Sequence, residues 1–250
     1  MKNDIEKRRR LKIDDRPIIS IDVATKQDLI SLCHRINNSV STLKLGLELI
    51  YSCGLDIVDT VKSFGYKVML DAKLLDIPNT VSQAVSAITR LGVDKITIHT
   101  LGGDKMLRDA KEKVITVSSK LKILPPLLFG VTILTSLDNN DLKKIGLEKD
   151  FLGSVLGLTD MALKSGIDGI ICSPNEVRAL RSNFGNDFFI AAPGIRLEHD
   201  DAFDQKRIST PQSAVKDGAD FIIVGRSITS KENIIEVIKS IKDEIDRALV

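Results

Sequence analysis

The sequence predicts an α/β protein built as a single (β/α)8 barrel of the TIM type, and three observations carry that expectation. Eight short apolar runs rich in Ile, Val and Phe recur along the 250 residues. They show little apolar/polar alternation, as expected of parallel strands covered on both faces. Each run is followed by a segment with apolar residues at helical spacing, and eight such units over about 230 residues suit a closed barrel. The competing arrangement is an open doubly wound sheet, but no GxGxxG follows the first strand.

The strands are read in order as "PIISID" (Pro17 to Asp22), "TLKLG" (Thr42 to Gly46), "YKVMLDAK" (Tyr66 to Lys73) and "DKITIHT" (Asp94 to Thr100). Next come "LLFGVTIL" (Leu127 to Leu134), "GIIC" (Gly169 to Cys172), "FFIAAPG" (Phe188 to Gly194) and "FIIVGR" (Phe221 to Arg226). The intervening helices follow from spacing. In "TVSQAVSAITRLG", Val81, Ala84, Val85, Ile88 and Leu91 fall on one face, and Gly92 supplies a stop. "GLDIVDTVKSFG" and "NIIEVIKSIKDEIDRAL" repeat the pattern. Residues 1–16 are expected to form a polar, basic N-terminal extension, and residues 17–250 the catalytic barrel. Two connections are long, Thr135 to Asp150 and Gly194 to Pro211, a length that suggests lids or binding loops.

Composition narrows the class of function. The chain is 43% hydrophobic and 28% charged with a net charge of +2, too small a charge to argue for nucleic acid or an anionic membrane surface. No run approaches the roughly 18 apolar residues of a membrane span. The first residues, "MKNDIEKRRRLKIDD", lack the apolar segment of a secretory signal, and the expectation is a cytoplasmic protein. Their basic cluster, Lys7 to Arg10, is read as a solvated face, not as an RNA contact. Cys33, Cys53 and Cys172 are odd in number and have no CxxC spacing, so they are read as reduced thiols and not as a disulfide frame or a metal site.

In such a barrel, catalytic groups sit at the C-terminal ends of the strands. The polar residues there are Asp22, Lys44, Asp71 with Lys73, His99 with Thr100, Thr135, and Gly225 with Arg226. The stretch "MLDAKLLDIPNT" concentrates the chemistry. Asp71 and Lys73 are two apart in an extended segment and share one face, and Lys44 on the adjacent strand can join them. Burying several charges costs several kcal/mol each unless they are well paired, so a purely structural network is the weaker reading. Gly225 permits close backbone approach and Arg226 can grip a phosphate bidentately, at the strand end where barrels often bind one. His34 and His199 are read as surface residues and His99 as packed or hydrogen-bonded. Phe184, Phe188 and Phe189 are read as core.

"LDAKLLDIPNTV" resembles the D-x-K-x-x-D-I-P-x-T signature of the orotidine 5'-phosphate decarboxylase family, in its bacterial form. "IISID", "LKLGLEL", "TIHTLGG", "GVTILTS", "APGIR" and "FIIVGRSIT" resemble the family's other strand ends in the same order. The resemblance runs from Pro17 over nearly the whole remaining chain. Leu75 stands where many bacterial members have His, a flanking position. The resemblance implies that Asp22 and Lys44 hold the ribose hydroxyls of orotidine 5'-monophosphate. Asp71 would lie beside the substrate carboxylate, and Lys73 would donate the proton to C6. Thr135 would contact the pyrimidine ring, while Arg196, Gln205, Gly225 and Arg226 surround the phosphate. Asp76, Ile77 and Thr80 would reach the partner's site in a homodimer with shared active sites. The implied reaction gives UMP and CO2 in pyrimidine biosynthesis and needs neither cofactor nor metal. Two other functions stay open on the residues alone. One is a Mg2+-dependent barrel acting on a sugar phosphate, whose members resemble one another in a carboxylate at the position of Lys44. The other is a non-catalytic nucleotide- or RNA-binding protein using the basic cluster.

Overall fold

The computed structural model describes residues 11–197 and 209–249. Eight parallel strands close on themselves in sequence order: β1 Pro17–Ile21, β2 Thr42–Leu45, β3 Lys67–Leu74, β4 Lys95–His99, β5 Leu127–Val131, β6 Gly169–Ile171, β7 Phe189–Ala192 and β8 Phe221–Val224. The barrel shuts where Ile18 of β1 pairs with Ile223 of β8. Each strand lies inside its predicted run except β3, which runs one residue past it to Leu74. The polar residues that ended those runs, such as Asp22 and Arg226, lie just past the strands, where the chain turns into the mouth, and Thr135 follows β5 by four residues.

The absence of alternation in the strands has a direct cause. Ile19, Ile21, Leu43, Leu45, Ile96 and Ile98 point outward and pack under the helices, forming the larger core. Ile18, Met69, Phe129, Ile171, Phe189, Phe221 and Ile223 point inward and fill the barrel. Phe129, Phe189 and Phe221 pack with ring centroids 6.5, 5.9 and 5.6 Å apart and plug the interior below the mouth. Gly169 is required there: a Cβ on it would lie 2.5 Å from the Phe129 ring. Phe188 is buried and Phe184 packs on the outer core, as expected. Lys95 shares the floor, with its ammonium 5.1 Å from the Phe221 centroid and 3.4 Å from Thr42 Oγ1. Burial pushes that ammonium down to about 8.

Residues 12–16 of the predicted extension lie against the floor of the barrel. A 3-10 turn, Ile13–Asp15, is fastened by backbone bonds from Ser41 N to Asp14 O and from Ile222 N to Arg16 O, both 2.9 Å. The ion pairs Lys67–Asp15 (3.0 Å) and Lys242–Asp14 (2.6 Å) flank it. The cluster Lys7 to Arg10 lies outside the described residues.

Of the two long connections, the first is not structureless. It holds a short helix, Asn139–Lys144, opened by a capping box in which Asp138 and Asp141 each accept the other's backbone N–H. Leu142, fully buried, pins this helix to the core. The sequence reading missed it because a helix of six residues shows too few turns for periodicity to register. The second connection is closed at its base, where Arg196 N donates to Ser209 O at 2.9 Å and Ser209 N to Gly194 O at 3.2 Å. Gln205 and His199, on its far part, lie outside the described residues.

Candidate active site

The C-terminal ends of the strands surround a cavity of about 670 Å³, within the size range of small-molecule sites. Asp22, Lys44, Asp71, Lys73, Thr135, Arg196, Gly225 and Arg226 all line it. Six strand ends separated by up to some two hundred residues in sequence therefore converge on one space.

Asp71 is the hub. Its Oδ2 accepts from Lys44 Nζ at 2.9 Å and from Lys73 Nζ at 2.8 Å, and its Oδ1 accepts from Thr97 Oγ1 at 2.9 Å. The Asp71 side chain is 7% exposed and that of Lys44 11%, whereas Lys73 is 34% exposed toward the cavity. Burial pulls the Asp71 carboxyl upward, but the charges of Lys44 and Lys73 and the hydrogen bonds they donate outweigh it, holding it at about 2. With both lysines as ammonium, two positive charges face one negative charge, and the cluster carries a net charge of +1. Such a site favours an anion, and Lys73 is the group left accessible to meet it.

The local backbone differs from the regular strand that the sequence suggested. Met69 and Leu70 pair with Lys95 and Ile96, but Leu74 pairs with Ile98. Four residues of β3 thus advance while β4 advances two, and the excess is absorbed as a bulge. Lys73 takes φ +46°, a left-handed conformation that costs a residue with a Cβ roughly 1–2 kcal/mol. Asp71 and Lys73 do meet on the inner face, but through this bulge and not through plain alternation. Bulges re-aim side chains beside active sites in this way.

On the adjoining wall, at the end of β1 beside Lys44, Ser20 Oγ donates to the Asp22 carboxylate at 3.1 and 3.0 Å. Gly225 backs it, since a Cβ there would lie 3.3 Å from Asp22 Oδ2. Arg196 is buried, with Nη1 donating to Ile195 O at 2.9 Å, and Arg226 opens the helix Arg226–Thr229 at the exposed rim. The two arginines follow neighbouring strands, β7 and β8, and both line the cavity. Thr135 is half-buried in the wall between them and the lysines.

Asp76, Ile77 and Thr80 do not join this chain's own cavity. All three are exposed, Asp76 and Ile77 on the segment leading into the helix Pro78–Arg90 and Thr80 in its first turn. Asp76 Oδ1 accepts from Ile77 N at 2.6 Å, and Ile77 is 67% exposed. His99 is buried at the end of β4, where its Nδ1 accepts from Leu101 N at 3.4 Å; burial and then the charge of Lys73 push its imidazole below its ordinary value. The sequence reading missed Ser20, Glu48, Ser136 and Thr97. Ser20 and Thr97 were discoverable, because each sits two residues before a mouth residue on the inward-facing series of its strand. Glu48 and Ser136 lie on the cavity rim and carry no such signal.

A closed parallel barrel with a buried lysine–aspartate–lysine cluster and two arginines around one mouth defines a (β/α)8-barrel enzyme with its active site at the C-terminal strand ends. Residues 15–241 match the profile of the orotidine 5'-phosphate decarboxylase / HUMPS family, and the chain belongs to that family. It is 38% identical to the orotidine 5'-phosphate decarboxylase of Actinobacillus succinogenes over 229 residues, covering 92% of this chain and 97% of the relative. Among solved structures, it is similar to the orotidine 5'-phosphate decarboxylase of Lactobacillus acidophilus at 35% identity and a TM-score of 0.82, over 93% of this chain and 100% of that one. The enzyme of the same name from Pyrococcus horikoshii aligns at 25% identity and a TM-score of 0.74, over 92% of this chain and 99% of that one.

Proposed function

We propose that this chain catalyses decarboxylation of orotidine 5'-monophosphate to UMP and CO2, a carboxy-lyase step of pyrimidine biosynthesis. The observation that carries the reading is the cluster of Lys44, Asp71 and Lys73, placed in one cavity with Arg196 and Arg226. The phosphate would meet the two guanidiniums, and Asp22 and Lys44 would take the ribose hydroxyls. Thr135 would meet the pyrimidine, leaving C6 toward Lys73. As the C6–carboxylate bond breaks, CO2 leaves and the electron pair stays on C6. The Lys73 ammonium stabilises that charge and then passes it a proton from Nζ.

Asp71, held ionised, stands beside the substrate carboxylate. Two like charges ~4 Å apart at an effective dielectric of ~20 repel by about 4 kcal/mol. Enzymes can lower barriers by roughly 23 kcal/mol, so repulsion is a minor part of what such a reaction requires. The larger part must come from stabilising the carbanion and from phosphate binding energy spent at the reacting centre. Lys44 is the feature that weighs against a Mg2+-dependent sugar-phosphate reaction, because an ammonium 2.9 Å from Asp71 occupies the place a cation would need. Purified, EDTA-treated protein is expected to convert orotidine 5'-monophosphate at full rate, followed by its ultraviolet absorbance. A rate abolished by EDTA and restored by Mg2+ would refute the reading, as would no absorbance change at all.

The reading includes a homodimer. Asp76, Ile77 and Thr80 face away from their own cavity, and the exposed apolar side chains Leu75 (52%), Ile77 (67%) and Leu101 (44%) accompany them on neighbouring loops. Such a patch is suited to a second copy, whose cavity Asp76 and Thr80 would then enter. Sedimentation at assay concentrations is expected to give twice the chain mass; a fully active monomer contradicts the shared site.

A further inference from the structure

We propose that Thr97 is a positioning residue for the reaction, pinning Asp71 and the strained Lys73 with a single hydroxyl. The proposal rests on the decarboxylase reading and extends it to a residue that the reading does not use. Thr97 lies in the middle of β4, on its inward face, and is fully buried. Its Oγ1 donates to Asp71 Oδ1 and accepts from Lys73 N, both at 2.9 Å. One hydroxyl therefore holds the side chain of the carboxylate and the backbone of the lysine.

The bulge explains why such a group is needed. Between Leu70 and Leu74 the β3–β4 register slips, so Lys73 N–H is not served by a regular ladder bond. Lys73 is also held at φ +46°, a conformation that persists only where its surroundings over-determine it. The hydroxyl accepts the displaced N–H and so holds the lysine backbone in that conformation. Its own proton then goes to the Asp71 oxygen that the lysines leave free, since both ammoniums bind Oδ2. Rotation of the carboxylate is thereby blocked, and the two oxygens keep separate duties. A β-branched residue suits the place, because its χ1 is restricted and the hydroxyl direction is fixed.

The test is a series at residue 97. Thr97→Val keeps the shape and removes the hydroxyl. It is expected to lower kcat for orotidine 5'-monophosphate by roughly 10- to 100-fold, the scale on which small misplacements act, with KM within about threefold. Thr97→Ser restores the hydroxyl and is expected to recover kcat to within about threefold of the parent. Hydrogen exchange at the Lys73 amide is expected to accelerate in the valine variant and to stay slow in the serine variant. A valine variant with parental kcat, or a serine variant as slow as valine, overturns the proposal. Should the valine variant not fold, Thr97→Cys, whose thiol is a weak donor and acceptor, must fall between serine and parent on one side and dead on the other; parental kcat there also overturns it. If the parent itself does not turn over orotidine 5'-monophosphate, the decarboxylase reading fails. The Lys73 amide still decides the pinning: unchanged exchange in the valine variant rejects it.

Discussion

Lys73→Ala is expected to reduce decarboxylation of orotidine 5'-monophosphate by roughly 10^4-fold or more while leaving the protein folded. Loss of a positioned proton donor alone costs about 10^2- to 10^4-fold, and loss of a preorganised charge at the developing carbanion adds about 10^2- to 10^3-fold. No other ammonium in the cluster is free to substitute. Both lysines line the cavity and bind Asp71, but Lys44 is only 11% exposed against 34% for Lys73. The fold should tolerate the change, because Asp71 keeps Lys44 at 2.9 Å and Thr97 at 2.9 Å. Alanine also retains the Cβ and meets the φ of +46° no worse than lysine does. Steady-state absorbance assays and a thermal melt check the two halves together. Near-parental turnover in a folded variant would sink the assignment of Lys73 as donor.

Asp71→Asn is expected to damage both activity and stability, and to alter how stability depends on pH. The neutral amide leaves the Lys44 and Lys73 ammoniums without their shared counter-charge. Removing one partner of a buried pair costs about 3–5 kcal/mol, and the exposure of Lys73 puts the expected loss at the lower end of that range, about 3 kcal/mol. Turnover should fall by roughly 10^3-fold, because Lys73 is no longer aimed and the electrostatics at the reacting carbon are lost. The sign of the acid effect follows from the carboxyl. Asp71 is held at about 2 when folded, against an ordinary value of 3.8. Its contribution is therefore fully present above about pH 4 and is lost as pH falls from there through about 2. Urea midpoints of the parent should drop across that window more steeply than those of the asparagine variant. Parallel curves would show that Asp71 is not the group titrating there.

Much of the fold was legible because its cause is local. A parallel strand buried on both faces tends to be apolar throughout, as "FIIV" is, whereas "KITIH" alternates and carries Lys95, Thr97 and His99 on its inner face. The polar interruptions then mark where burial ends and the mouth begins. Residues of the site were legible for the same reason, since Asp71 and Lys73 stand at a strand end where charge is otherwise too costly. The helix Asn139–Lys144 was not legible, because one capping box and one buried leucine leave little periodic signal. Thr97 was legible only by position, two residues before His99 on the inward series of its strand; its residue type carried no signal, since β-propensity already favours threonine there.

Sequence by itself determined the eight-stranded barrel, the end of it that carries chemistry, and the charged residues gathered there. Periodicity and burial cost act along the chain and need no partner across space. Tertiary structure alone decided how those residues engage one another. The slip between β3 and β4 puts Lys73 in a left-handed turn, gives Thr97 its two bonds and sends both lysines to one oxygen of Asp71. Register is set by the packing of neighbouring strands around the closed barrel, and no single segment contains it.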